Sequence, residues 1–334
     1  MSLYQADIDA LADPDPYVRA AAAERLGEAR CTEALVPLIG TMHWRQEDVE
    51  DEIEGRTAAV IALGQLGDPR AIPPLLAFLQ SSLDEDLEEV FLTCDVMESL
   101  AKLQASDALP LLERAVCSAE YDVVKTAVLC LRQYPADDTI VVLLRAAANP
   151  GAIARDVAVE ELGLLRDARA IPLLVPLLDD VTANDWLRGA AAAALGRIGG
   201  TFTFDLLLAA FLDAGLSENV WHGVTRGLGY LADPRAFAPL TQALRTSEWP
   251  IFLLEALGNL RDLRAVPILI DYLRDRRATV VEKAAAALGQ LGDPRAVEPL
   301  RLARPECVDH AVFASVRKAI DDALDKLSQT HSPK

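Results

Sequence analysis

The chain has 334 residues, 51% of them hydrophobic, and a formal net charge of −19. This charge argues against nucleic-acid binding, because affinity for a phosphate backbone depends on clustered Lys and Arg, and it favours a protein partner with a basic surface. No apolar run approaches the roughly 18 residues that span a bilayer, so we expect no membrane segment. The scattered cysteines form no C-x-x-C pair, which fits a reducing compartment, and we expect a cytoplasmic monomer.

A repeated helical pattern runs through the chain, after a short helix predicted near residues 3–11. Stretches such as VRAAAAERLG place apolar residues at i, i+3, i+4 and i+7, which indicates a helix with a wide buried face. Each stretch ends at an anchor position, and successive anchors are roughly 30 to 37 residues apart, the period of a helical repeat. The anchors are Cys31, Asp68, Ala105, Ala136, Asp167, Gly200, Asp233, Asp262 and Asp293. Repeats of this length predict stacked helix pairs that share one continuous core.

The residues at the anchor predict a turn between two helices. Asp68 can accept hydrogen bonds from the free amides of the next helix as an N-cap, and Pro69 suits the first helical position. Gly67 suits the left-handed end of the preceding helix. The motif LG-x-LGDPRA therefore combines a helix end with a helix start, and the same residue types stand at Gly292 to Pro294.

Counting these turns predicts an all-α chain of about ten helix pairs, with a charged last helix near residues 311–327. The end helices of such a stack must be more polar than the others, because they cover only one neighbour. We expect residues 1–327 to form a single domain and residues 328–334 to form a disordered tail.

Two acidic stretches, at residues 43–55 and 80–90, read as insertions in the second and third repeats. A shift of one repeat aligns their carboxylates, which are Glu47, Asp48, Asp51, Glu52, Asp84, Glu85, Glu88 and Glu89. We expect them to form the first turns of two extended second helices, where the helix dipole favours negative charge. They are either a solvated helix start or a docking ridge for a basic partner; a Ca²⁺ site is a third reading, although no D-x-D-x-D-G loop is present.

Tryptophans mark a second candidate surface. Trp186, Trp221 and Trp249 precede the anchors of three consecutive repeats by nearly the same interval, so all three stand near the start of a second helix along one edge. Trp249 occupies a position that is predicted to be core, because its equivalents in other repeats are Val18, Leu187, Val220 and Val280. Trp186 and Trp221 are candidates for a partner-facing patch or for structural packing.

Trp221 replaces an arginine that recurs at the same interval before other anchors, as Arg19, Arg56, Arg155 and Arg188. We expect these arginines to pair with the loop residues Asp68, Asp167 and Asp233 in a ladder that holds neighbouring repeats together.

The most complete unit, VVEKAAAALGQLGDPRAVEPL at residues 280–300, resembles the HEAT-like repeat first associated with phycobilisome (bilin) lyases. The resemblance covers almost the whole chain and implies a right-handed α-solenoid whose second helices line the concave face. It implies little about activity, since the same repeat builds scaffolds, adaptors and a few enzymes. Our hypothesis is a non-enzymatic scaffold or adaptor without cofactor or metal; the alternative is a bilin lyase or a lyase-like chaperone subunit acting on phycobiliproteins.

Deoxyhypusine hydroxylase also resembles this architecture, and its di-iron centre needs several His-Glu pairs. The four histidines here are followed by Trp, Gly, Ala and Ser. The sequence therefore does not carry the ligand motif of that enzyme.

Overall fold

The computed structural model describes residues 3–44, 52–84, 89–151, 153, 155–304 and 311–330. In these residues the chain forms twenty α-helices, which follow one another as ten pairs, and no β-strand. The predicted all-α fold of ten helix pairs is confirmed, while the right-handed sense of the superhelix stays a prediction. The chain divides into two compact units, residues 1–158 and 159–334.

The helices of the first unit begin at Gln5. They are α1 (Gln5–Ala10), α2 (Pro16–Glu28), α3 (Leu35–Met42), α4 (Glu52–Leu66), α5 (Ile72–Asp84), α6 (Val90–Lys102), α7 (Leu109–Ala115), α8 (Tyr121–Leu131) and α9 (Ala136–Ala148). Helix α10 (Arg155–Leu165) spans the division between the units. The even-numbered helices are the second helices of their pairs.

The second unit continues the same alternation. Its helices are α11 (Ile171–Asp179), α12 (Asp185–Ile198), α13 (Thr201–Leu212), α14 (Glu218–Leu231), α15 (Phe237–Leu244), α16 (Pro250–Asn259), α17 (Val266–Tyr272), α18 (Ala278–Leu291), α19 (Val297–Ala303) and α20 (Ala311–Thr330). Helix α20 extends to Thr330, into the segment expected to be a tail, and residues 331–334 lie outside the described part.

The predicted turn is confirmed at the anchors that are aspartates. The carboxylate of Asp68 accepts from the backbone amide of Arg70 and opens a short 3-10 turn, and Asp293 does the same for Arg295. Gly67 and Gly292 adopt the left-handed φ angles of 70° and 68° that the motif predicts. Five non-glycine residues take the same conformation one position before their anchors: Arg30, Gln104, Arg166, Ala232 and Arg261.

Within each unit the second helices pack directly on one another. In the first unit α2, α4, α6 and α8 form such a series, and in the second unit α12, α14, α16, α18 and α20 form another. The contacts are close because the facing residues are small, as the alanine-rich pattern predicts: Ala22, Ala59, Ala192 and Ala285 are fully buried. First helices such as α3, α11 and α17 pack against the second helix of their own pair and complete the core.

Because of the capping aspartates, the folding stability of the protein depends on pH in the acid range. The side-chain hydrogen bond from Arg264 lowers the pKa of Asp262 below its ordinary value, and Arg70, Arg169 and Arg235 lower the pKa of Asp68, Asp167 and Asp233 in the same way. A lowered folded-state pKa stabilises the fold above the unfolded-state pKa, and this stabilisation is lost as the pH falls through the folded-state value. The relevant range is therefore below about pH 4.

We expect Asp262→Asn to lower the melting temperature at pH 7, since Asn keeps the N-cap acceptor but loses the ion pair with Arg264. The difference from the parent protein should shrink as the pH is lowered below about 4, where the parent also loses the charged cap. Thermal unfolding followed by circular dichroism across this pH range measures the difference in melting temperature. Asp271→Asn is the control, because it removes the same charge from an exposed site on α17; identical pH profiles for the two variants would contradict the assignment.

Candidate functional site

The recurring arginines hold the ends of the first helices, and the predicted ladder to the loop aspartates is wrong. Each arginine belongs to a second helix. Its side chain donates to a backbone carbonyl at or just beyond the end of the preceding helix, where carbonyls lack intrahelical partners. The bonds are Arg19 Nη1 to Asp13 O at 2.6 Å, Arg56 Nε to Met42 O at 2.9 Å, Arg155 Nε to Ala147 O at 2.5 Å and Arg188 Nε to Leu178 O at 3.1 Å.

The loop aspartates pair with the arginine two positions later. Asp262 and Arg264, for example, lie 2.5 Å apart. Links between repeats come from these loop arginines, since Arg264 Nη2 donates to Pro234 O and Arg295 Nη2 donates to Leu263 O, both at 3.4 Å. Two neighbouring repeat junctions are therefore linked by arginines of the Asp-x-Arg motif and not by the recurring arginines.

Trp221 performs in α14 the task that arginine performs elsewhere. Its indole Nε1 donates to Phe211 O, in the last turn of α13, at 3.3 Å. The indole also stacks on the Phe211 ring, with centroids 5.3 Å apart. A flat apolar group thus stands where other repeats present a guanidinium, and this exchange leaves an apolar surface beside the helix end.

That surface forms one wall of a groove of about 690 Å³ in the second unit. The groove runs between α13, the turn after it, and α15, with Trp221 from α14 at its side. Its lining is mostly apolar and consists of Leu208, Phe211, Leu212, Asp213, Ala214, Leu216, Trp221, Ala238, Pro239, Gln242, Ala243 and Thr246. Leu212, one of the lining residues, is 69% exposed. The shape and lining suit an apolar side chain from a ligand.

Aromatic packing makes the Trp221 wall rigid. The His222 ring stacks on Phe252 of α16 with centroids 3.5 Å apart, and it meets Trp221 edge-on at 5.9 Å. Burial lowers the pKa of His222, an effect that the nearby Glu218 carboxylate opposes. A neutral imidazole is therefore favoured, and it packs as an aromatic ring in a row that joins α13, α14 and α16.

Trp186 and Trp249 stand at the starts of α12 and α16 and do not line the groove. Trp186, the second residue of α12, is 72% exposed. Trp249 is 59% exposed, so its predicted core position is wrong. The interval between the anchors Asp233 and Asp262 is the shortest in the chain, and α16 begins only at Pro250, which leaves Trp249 outside the helix as the N-cap residue.

The predicted core position is confirmed for Leu187, Val220 and Val280 and is wrong for Val18, which is 38% exposed. Val18 lies in α2, the second helix of the first described pair.

Two of the acidic residues contact arginines of neighbouring helices. Asp84, the last residue of α5, lies 2.5 Å from Arg114 of α7 in an exposed pair. Glu89, the N-cap residue of α6, pairs with the buried Arg56. The prediction that these two residues lie in the first turn of an extended second helix is therefore wrong. Helix α5 ends at Asp84, and α6 begins at Val90.

Of the other six ridge residues, only Glu52 belongs to the described part of the chain. Glu52 is the first residue of α4, which agrees with a position in the first turn. Glu47, Asp48, Asp51, Glu85 and Glu88 lie outside the described residues. Among the described residues, no group of three His, Cys, Asp or Glu side chains is arranged to hold a metal ion.

The tryptophans that the sequence predicted to lie at the surface identified only part of the groove. Sequence analysis identified Trp221 but missed Phe211 and Leu212, which lie at the end of a first helix that reads as ordinary core. The one available signal was the replacement of the recurring arginine by tryptophan.

None of the helices in the described ranges has the length and apolar character that crossing a membrane requires.

Comparison with known families assigns the chain. The profile of HEAT repeats matches residues 6–92, 149–218 and 250–324, more than half of the sequence. The chain belongs to the HEAT repeat family. The profile of the PBS lyase HEAT-like repeat also matches, at residues 222–246, which confirms the resemblance that the LGDPRA motif indicates.

Among curated proteins, human deoxyhypusine hydroxylase is 39% identical over 80 residues, which cover 23% of this HEAT protein and 26% of the human protein. The match therefore spans only about a quarter of the relative. Among solved structures, Kap95p in a study of RanGDP binding superposes with a TM-score of 0.57 at 12% identity, over 98% of this chain and 50% of the other. Kap121p gives 0.52 at 16% identity, over 98% and 42%. These similarities establish the fold alone.

Proposed function

We propose that this HEAT repeat protein is a non-enzymatic scaffold that binds a protein partner through the groove beside Trp221. The observation that carries the proposal is the groove itself, with Leu212 exposed at its rim and the Phe211–Trp221 stack as its wall. A rigid aromatic wall loses little conformational entropy when a ligand packs on it, which favours binding.

The charges around the groove favour a partner segment with an apolar anchor and basic flanks. Asp213 lies in the lining, and Glu218 is exposed at the start of α14 close to His222. The whole chain carries a net charge of −19, so its long-range field attracts positive partners and accelerates their association. Basic flanks would face these carboxylates while the apolar anchor entered the groove.

The acidic ridge at the other end of the chain is a second proposed contact for the same kind of partner. It comprises Glu47, Asp48, Asp51, Glu52, Asp84, Glu85, Glu88 and Glu89. The pairs of Asp84 with Arg114 and of Glu89 with Arg56 reduce the free negative charge that these two residues contribute. The ridge proposal therefore rests on the other six residues.

We expect Leu212→Arg to weaken binding at the groove without unfolding the protein, since Leu212 is exposed and already faces water. The charge would sit inside the apolar entrance and repel basic flanks. The measurement is isothermal titration with peptides selected from a random displayed library against the parent protein. Selected peptides should combine an apolar anchor with Lys or Arg and should bind Leu212→Arg at least tenfold more weakly.

Leu302→Arg is the matched control, because Leu302 is an exposed apolar residue of α19 in the same unit. It adds the same charge away from the groove and should leave peptide affinity unchanged. Peptides that bind all three proteins equally would remove the groove from consideration. Equal losses in both variants would show that only the net charge matters.

A bilin lyase is the second candidate, because the residues that match the PBS lyase repeat, 222–246, include α15, which forms a wall of the groove. It predicts visible absorbance when the protein is co-expressed with a bilin and a phycobiliprotein subunit. A scaffold leaves the rate of bilin attachment unchanged. The hydroxylase name of the matched relatives finds no support in the residues, since no histidine here is followed by Glu.

A further inference from the structure

A cluster of two arginines and one tyrosine lies in the second unit, separate from the groove residues. Arg197 comes from the last turn of α12, and Arg226 and Tyr230 come from α14. The Tyr230 hydroxyl lies 3.1 Å from Arg197 Nη2 and 3.4 Å from Arg226 Nη2. The Arg197 guanidinium also lies over the tyrosine ring, 4.2 Å from its centroid. Two positive groups thus converge on a single hydroxyl.

The positive charge of this cluster is not neutralised by an ion pair within the described part of the chain. Neither Arg197 nor Arg226 has a carboxylate in ion-pair contact there, in contrast to the arginines of the Asp-x-Arg turns. Glu160 and Glu255 are near enough to attract Arg226, but Glu255 is held by Lys283 at 2.9 Å. In addition, Arg226 Nε is buried without a hydrogen-bond acceptor. An anion bound against the cluster would place its negative charge next to both guanidinium groups, which favours its binding.

Close packing of α12 on α14 brings the three residues together. A Cβ on Gly196 would overlap Gly227 O, well inside the 3.0 Å that real Cβ contacts keep, so the two backbones touch beside Arg197 and Arg226. The residues that correspond to Arg226 and Tyr230 in two other repeats are Glu160 with Leu164 and Glu255 with Asn259. The cluster is therefore a feature of this one pair of helices and does not belong to the general repeat architecture.

The hydrogen-bonding capacity of the cluster is that of an anion site. The tyrosine oxygen accepts from both guanidinium groups, and its own proton remains available to a further acceptor. The terminal nitrogens of both arginines carry additional N–H donors, and all three side chains are half-buried, so their outer atoms remain accessible. Donors of this kind bind carboxylate and phosphate oxygens through short, charge-assisted hydrogen bonds.

We propose that Arg197, Arg226 and Tyr230 bind one oxyanion group, a carboxylate or a phosphate, between α12 and α14. The arginines contribute charge and fixed N–H donors, and the tyrosine hydroxyl both orients them and donates its proton. The bound group places its negative charge next to both guanidinium groups.

The test measures binding of inorganic phosphate and, in a separate arm, of acetate by isothermal titration at constant ionic strength. Wild-type protein should bind at least one of them saturably, with a Kd on the order of 1 mM for such a small ligand. Arg197→Gln should weaken binding about tenfold or more, and Tyr230→Phe should weaken it while keeping the ring. Saturation by only one anion identifies the group that the site prefers.

A stability measurement separates binding from a structural role. In chloride, Arg197→Gln should lower the melting temperature slightly, because it removes the hydrogen bond to Tyr230 and the contact with its ring. It should also lose the stabilisation that phosphate or acetate gives the parent. Arg274→Gln, at a surface arginine of the same unit, is the charge-matched control and should retain that response. Absence of saturable binding of both anions, or an unchanged response in Arg197→Gln and Tyr230→Phe, would overturn the proposal.

Discussion

Gly196→Ala is expected to destabilise the second unit by about 3 kcal/mol, the upper end of the usual range for overpacking. The added Cβ would overlap both the carbonyl oxygen and the Cα of Gly227. These are backbone atoms, so the clash is relieved only if α12 and α14 move apart along their shared length. The substitution otherwise raises helix propensity by up to about 1 kcal/mol, which makes a loss of stability diagnostic of the contact.

Denaturant unfolding followed by circular dichroism measures this loss. Gly40→Ala is the matched control, because Gly40 lies within α3 and a Cβ there would meet nothing within 4 Å. The control should gain stability by up to about 1 kcal/mol through propensity alone. Equal effects of the two substitutions would mean that the backbone contact of Gly196 contributes nothing to stability.

Glu89→Lys is expected to destabilise the first unit by about 3 kcal/mol, the lower end of the range for breaking a buried ion pair. Its partner Arg56 is only 3% exposed and donates through Nε to Met42 O. The substitution leaves the buried guanidinium without its carboxylate and adds a second positive charge beside it. Glu89→Gln should have a smaller effect, since the amide oxygen still accepts a hydrogen bond. Denaturant unfolding of the variants and the parent measures both losses.

Asp84→Lys is the control for Glu89→Lys, because it makes the same charge reversal in the same acidic stretch. Asp84 pairs with Arg114 at the surface, where ion pairs contribute about 0 to 1 kcal/mol. Comparable losses in both variants would show that the buried position of Arg56 is unimportant. The comparison also sets the design of any ridge experiment: Glu89 must be left intact, because its loss affects folding directly.

The repeat could be predicted in detail because its signals are local. The spacing of apolar residues, the Asp-Pro start and the Gly67 end act within one turn of helix, so the ten helix pairs and their turns follow from the sequence. Predictions that depended on aligning one repeat with another were less accurate. Trp249 aligned with buried residues but stands outside its helix, because the short interval between Asp233 and Asp262 shortens α16 at its N-terminus.

The arginines illustrate the same limit. Their recurrence at a fixed interval before the anchors correctly indicated a structural role, but periodicity identifies no partner. Arginine can donate to carboxylates and to carbonyls alike. Only the folded chain shows that the free carbonyls at the ends of the first helices lie within reach, whereas the loop aspartates are already held by the arginine two positions later.

The sequence by itself determined the fold class, the helix pairs, the turn chemistry and the small residues that allow the second helices to approach. Tertiary structure decided which side chains meet across helices: the groove beside Trp221, the pair of Glu89 with Arg56, and the convergence of Arg197 and Arg226 on Tyr230. The physical reason is that local backbone preferences act within a few residues, whereas these sites depend on the distance between packed helices. That distance is fixed by contacts such as that of Gly196 with Gly227, one repeat apart in the chain.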